Sequence, residues 1–339
     1  MVTHRYAMMA DADHALPGST FSPSRKGIDA TPDAGALRVR QGLLRMTPSR
    51  HLTAARALFS VAVTVGACDA LGSRTPARDT RAPAAEAEPP APFLAATLRH
   101  PRFRWRSLET AHFRLYASED SWAAGRLDSL GAVAKLERET VLTALGEPTD
   151  SADPRPHLFF LEGREDFRAL VGQPAGGWTE AGANTLLLGA SDSVSPPFRH
   201  ELAHLYSHRR WGPPYGDWVS EGVAVFATRG CAGAPLHVWA LAVGTGGAST
   251  PLHALESGFD FSRAAPHLEA GSFVEFLHER HGLPAVRALW VGGLAAAARA
   301  TGESAATLEA RWRDRVEEAD TAAAATLDAR RVVRCETGR

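Results

Sequence analysis

The sequence predicts an α+β fold: a small sheet with helices in the first half of the folded region, then a mainly helical half. Three observations carry that reading. Short apolar stretches at 103–108, 112–116, 157–161 and 184–188 alternate or run unbroken as strands do. A long helix-period segment at 120–146 and a shorter one at 164–171 separate them. After Thr228 the strand pattern stops and helical spacing dominates. The chain has 339 residues, 45% of them hydrophobic, enough for one substantial core or two modest ones. A formal net charge of −1 suggests no nucleic-acid partner.

Taken in order, residues 1–67 read as a leader. Residues 1–45 mix Gly, Pro, Asp and Ser without sustained periodicity, and read as disordered chain or as sequence upstream of the true start. Met46 opens a short basic region, the apolar run 57–67 follows, and Cys68 comes next. A basic start, a short apolar stretch and small residues make a secretory signal peptide. The run is too short for a permanent membrane-spanning helix, which needs about 20 residues. Val65-Gly-Ala-Cys68 resembles a bacterial lipobox. That implies lipidation of Cys68 and an exported cell-envelope lipoprotein, anchored to a membrane on its extracytoplasmic side. Ordinary signal-peptidase cleavage after Ala67 is the alternative. Residues 69–98, rich in Pro, Ala, Arg and Glu, read as a semi-extended tether, so 68–100 would link the anchor to a domain at 101–335.

Within that domain, 103–108 and 112–116 read as two short strands. The 120–146 helix takes Leu127, Leu130, Val133, Leu136, Val141, Leu142 and Leu145 as its apolar positions. The unbroken run 157–161 is a buried strand. Gly176-Gly-Trp-Thr and Asn184-Thr-Leu-Leu-Leu188 read as a hairpin or paired strands. Pro196 and Pro197 open the next helix, because proline is tolerated in a first turn. Gly212, Pro213, Pro214 and Gly216 end it, and Asp217 is placed to cap a second helix starting near Trp218. Further on, 234–244 and 252–257 are short helical segments, and 271–281 is a firmer one stopped by Gly282. Segments 283–291 and 301–319 complete the helical half.

The chemistry concentrates in 200–226. His200-Glu-Leu-Ala-His204 places two imidazoles one helical turn apart, so both leave one face and can bind a single Zn²⁺. Glu201 can hold and deprotonate a metal-bound water. Glu221, carried on the second helix, is the best candidate for a third ligand, with Asp217 next. Gly222 lacks a Cβ, which lets the second helix lie close against the first. His208 continues the i, i+4 series but sits about 12 Å from His200 along a straight helix, too far to share the ion.

These motifs resemble the gluzincin zinc metallopeptidases, in which His-Glu-x-x-His is followed by a second helix bearing Glu-Gly-x-Ala. Trp218-Val-Ser-Glu221-Gly222-Val-Ala224 is similar to the version in exported bacterial peptidase MA-like proteins. The resemblance implies a zincin-like fold with the active-site cleft between its two halves. It implies Zn²⁺ held by His200, His204 and Glu221, with Glu201 as general base. It also implies a peptide or protein substrate held extended, with strand 184–188 bordering the cleft; a core strand is the alternative reading of 184–188. The oxyanion donor stays open among Tyr215, His208 and a later histidine. His278 and His281 read as solvated. No Gly-x-Met-Glu-Asn exopeptidase motif lies upstream, which leans towards endopeptidase. Two further readings remain: a zinc hydrolase of a non-peptide bond, and a catalytically silent binding lipoprotein with the same fold. An intact Glu201 argues against the second.

Cys231 and Cys335 are the two thiols left once Cys68 is lipidated, in a compartment that favours oxidation. A bond between them would close a loop of about a hundred residues, worth on the order of 4–5 kcal/mol in the chain-entropy model. Two free thiols are the alternative.

Overall fold

The computed structural model describes residues 5–8 (backbone only), 91–150, 152–228, 234–244 and 249–327. The chain divides into a unit of residues 1–13 and 88–339 and a second of 14–87; every described residue belongs to the first. The expected signal peptide, Cys68, Cys231 and Cys335 lie outside the described residues.

In chain order, β1 is Arg5–Met8, α1 Pro92–Arg99, β2 Trp105–Glu109, β3 Arg114–Ser118, α2 Leu127–Ala144, β4 His157–Leu161 and α3 Arg164–Val171. Then come β5 Gly177–Glu180, β6 Thr185–Gly189, α4 Phe198–Trp211 and α5 Asp217–Ala227. The helical half holds α6 Leu236–Gly244, α7 Leu252–Ser257, α8 Ala264–Thr301, α9 Ala305–Glu317 and α10 Thr321–Thr326. The fold is α+β, as the sequence predicts. Among the described residues, no helix is long and apolar enough to cross a membrane.

The six strands form one mixed sheet in the order β1-β5-β6-β4-β3-β2. β4 runs parallel to both β3 and β6, while β1–β5, β5–β6 and β2–β3 are antiparallel. Helices on both faces explain the unbroken apolar run of β4. Leu158 and Phe160 enter the large core with α2, α4, α5 and α8; Phe159 and Leu161 enter a smaller one with Leu94 of α1 and Phe167 of α3. β6 is buried along its whole length and paired on both sides, so 184–188 is a core strand. β5 lies between β6 and the short β1.

Several expectations give way to packing. The tether reading of 69–98 is overtaken at its end, where Pro92 starts α1 and Leu94 and Thr97 are buried. On α2, Val133 and Leu136 are 43% and 62% exposed. Leu127, Leu130, Val141, Leu142 and Leu145 are buried as expected, and Gly131, Ala134 and Arg138 fill the stripe between them, each three or four residues from another member. The sequence hid the middle of this stripe because one position there is an arginine. Arg138 is buried, donates from Nε to Tyr206 Oη at 3.0 Å and from Nη1 to Thr149 O at 2.7 Å, and so binds α2 to α4. Gly282 adopts φ 74° as a helix stop would, yet α8 resumes beyond it and breaks again at Gly292 and Gly293. Asp217 is the first helical residue of α5; Gly216 holds the cap position, with no side-chain cap.

Candidate metal centre

α4 stops at Gly212, whose φ of 81° is a left-handed conformation that favours glycine. The chain then reverses into α5, which brings Glu221 back beside the first turns of α4. His200 and His204 face each other one turn apart, their Nε2 atoms separated by 3.0 Å and their rings edge-to-face at 4.7 Å. Glu221 Oε2 lies 3.1 Å from His200 Nε2, and Oε1 lies 3.5 Å from His204 Nε2. All three side chains are buried.

Neither Glu221 oxygen has a hydrogen-bond partner, and His200 Nδ1 is buried without one as well. Burial pushes the Glu221 carboxyl up to about 7, against a lowering influence from His267. Burial also holds His204 well below its ordinary value, with His200 and His267 adding to the effect. His204 is therefore neutral and retains a lone pair. Its Nδ1 lies 2.9 Å from Ser220 Oγ. When Nδ1 donates there, the Nε2 lone pair is free to face Glu221. Donors bonded to one tetrahedral ion at about 2.0–2.1 Å stand roughly 3.3 Å apart. The observed separations of 3.0, 3.1 and 3.5 Å bracket that value. His200, His204 and Glu221 can hold a metal ion.

Glu201, next to His200 on the same turn of α4, contacts β5. Thr179 Oγ1 lies 2.6 Å from its carboxylate Oε2 and 3.1 Å from its backbone oxygen. A Cβ on Gly177 would overlap the same carboxylate, so β5 needs glycine at that position. Sequence reading placed Gly176-Gly-Trp-Thr in a strand without seeing this role.

A third imidazole reaches the centre. His267, in the first turn of α8, has Nε2 3.8 Å from Glu221 Oε2 and Nδ1 2.9 Å from the Arg263 carbonyl. A carbonyl only accepts, so Nδ1 carries the proton and Nε2 faces the site. Phe259 and Phe261 pack on the ring at centroid distances of 4.8 and 6.1 Å. Sequence reading missed His267 because it began this helix at 271. Pro266, tolerated in a first turn, was the available signal.

The other candidates fall elsewhere. His208 is not among the converging ligands. The Tyr215 ring lies against Gly293, and its backbone N–H donates to Trp290 O at 2.6 Å, which pins the α4–α5 loop to α8. His278 packs against Phe226 at 5.0 Å, and His281 Nε2 lies 3.4 Å from Glu303 Oε1. Gly222 makes its close approach to α8 and not to α4: a Cβ there would sit 2.9 Å from Ala270 O.

Compared with known proteins, the chain matches no family model, and no curated protein matches it.

Proposed function

We propose that this protein is a zinc-dependent peptide hydrolase with a zincin-like fold, Glu201 serving as its general base. The observation that carries the proposal is the convergence of His200, His204 and Glu221 on one point, with both oxygens of a buried carboxylate lacking hydrogen-bond partners. An uncompensated carboxylate at that depth is costly, and a bound cation offsets it. Zinc bound there would supply a Lewis acid that polarises a carbonyl and acidifies water.

The chain's own groups do the rest. Glu201, steadied by Thr179, takes a proton from the attacking water and returns it to the leaving amine. His267, with Nε2 turned into the site, is placed to donate to the oxygen that gains charge, once that nitrogen is protonated. Phe259 and Phe261 hold its ring. An endopeptidase acting on extended peptide is the favoured form. The lipobox-like sequence supports an exported enzyme tethered to a membrane through Cys68.

Metal analysis of the purified full chain and a broad peptide-library digest test this reading. Glu221→Ala is expected to lose zinc from the site. Glu201→Gln is expected to keep zinc and lose turnover by at least about a hundredfold. Peptide cleavage at the wild-type rate by Glu201→Gln would remove the mechanism. For the anchor, protein expressed from Met46 in a bacterial host should partition with membranes, and Cys68→Ser should not; equal partitioning would refute it.

A further inference from the structure

Away from the centre described above, a second set of ligand-type side chains converges between α6 and α8. His237 lies in the first turn of α6; Glu275 and Glu279 stand one turn apart on α8. His237 Nε2 is 3.6 Å from Glu275 Oε2 and 3.4 Å from Glu279 Oε2. These separations are close to the roughly 3.3 Å that donors around one small divalent ion adopt. We propose that His237, Glu275 and Glu279 form a second divalent-cation site that clamps α6 to α8.

Two features support a cation over a simple histidine–carboxylate pair. His237 is buried and held in place from behind: its Nδ1 lies 2.8 Å from Ser272 Oγ, which accepts from Trp312 Nε1 at 3.0 Å. That is how a ligating imidazole is oriented through its other nitrogen. Glu275 Oε2 is buried without a hydrogen-bond partner, although the same carboxylate accepts from the backbone N–H groups of Leu236 and His237. The cation facing the cluster from α9 is Arg315, whose Nε is 3.4 Å from Glu279 Oε2. It engages the outer carboxylate and leaves the inner oxygen of Glu275 bare. Glu279 is 46% exposed and lines an open groove with Asp314 and Arg315, which gives an ion a route in and lets water complete its shell. One imidazole with two carboxylates suits Zn²⁺ or Mn²⁺.

Zinc titration of the chelator-stripped full chain, read by equilibrium dialysis and metal analysis, tests the site. The wild type should saturate near two equivalents, and Glu279→Gln and Glu221→Ala should each saturate near one. Glu279 is surface-accessible, so its substitution leaves the fold intact; Glu275→Gln is the second variant and should behave alike. Saturation of the wild type near one equivalent, or of Glu279→Gln at the wild-type level, would overturn the second site. If Glu221→Ala alone retains the wild-type stoichiometry, the first centre fails instead, so the two readings are separable.

Discussion

Ser220 shows how much of a site lies beside its motif. It precedes Glu221 and sits 2.9 Å from His204 Nδ1, so one turn of α5 supplies both a carboxylate that can hold a metal and the group that orients an imidazole beside it. Losing such an outer partner costs metal affinity about 10–100-fold. Ser220→Ala should therefore bind zinc more weakly by about that factor in competition with a chromophoric chelator, while its fold persists. Unchanged affinity would mean that Ser220 does not set the His204 tautomer. His200, Glu201 and His204 were legible from helical spacing, and Glu221 from the Gly/Pro break that starts a second helix and from the Glu-Gly-x-Ala resemblance. Ser220, Thr179, Gly177 and His267 were not, because their roles exist only once α5, β5 and α8 are packed against α4.

At the scale of elements, the tightest fit is between α5 and α8. Gly222 of α5 meets the Ala270 backbone, and a Cβ on Gly271 of α8 would overlap Val225 in return. Each helix thus presents a glycine to the other, and this close approach sets the depth of Glu221. Gly222→Ala would place a methyl group 2.9 Å from a backbone oxygen that cannot step aside. Overpacking of this kind costs about 1–3 kcal/mol. The variant should unfold at lower temperature and bind zinc more weakly, the two effects moving together because one displacement causes both. A thermal midpoint equal to wild type would show that the helices have slack. The sequence flagged Gly222 as a close approach but assigned it to α4, since nothing local says which neighbour a glycine faces. It read most of the buried face of α2 but put Val133 and Leu136 there and left Arg138 out, for a related reason: Arg138 is a core residue because Tyr206, Thr149 and Asp153 receive it.

For the whole molecule, the sheet positions β5 beside Glu201 and the helical half closes over Glu221, so stability depends on the charge of Glu221 and on any cation it holds. Without metal, the raised Glu221 carboxyl works against folding. Its folded value near 7 exceeds the ordinary 4.5. Such a group leaves stability intact below pH 4.5 and erodes it as pH climbs towards 7, because the unfolded chain sheds the proton first. The full difference is on the order of 3 kcal/mol. Glu221→Gln removes the charge, and its amide can donate to a histidine Nε2. Measured by thermal denaturation after chelation, Glu221→Gln should be close to wild type near pH 5 and more stable than wild type near pH 8. Added zinc should reverse the order at pH 8, since only the wild type then gains a three-ligand site. A chelated wild type that stays as stable as Glu221→Gln at pH 8 would mean that the buried carboxylate is already neutralised within the protein, and the case for a cation at this centre would fall with it.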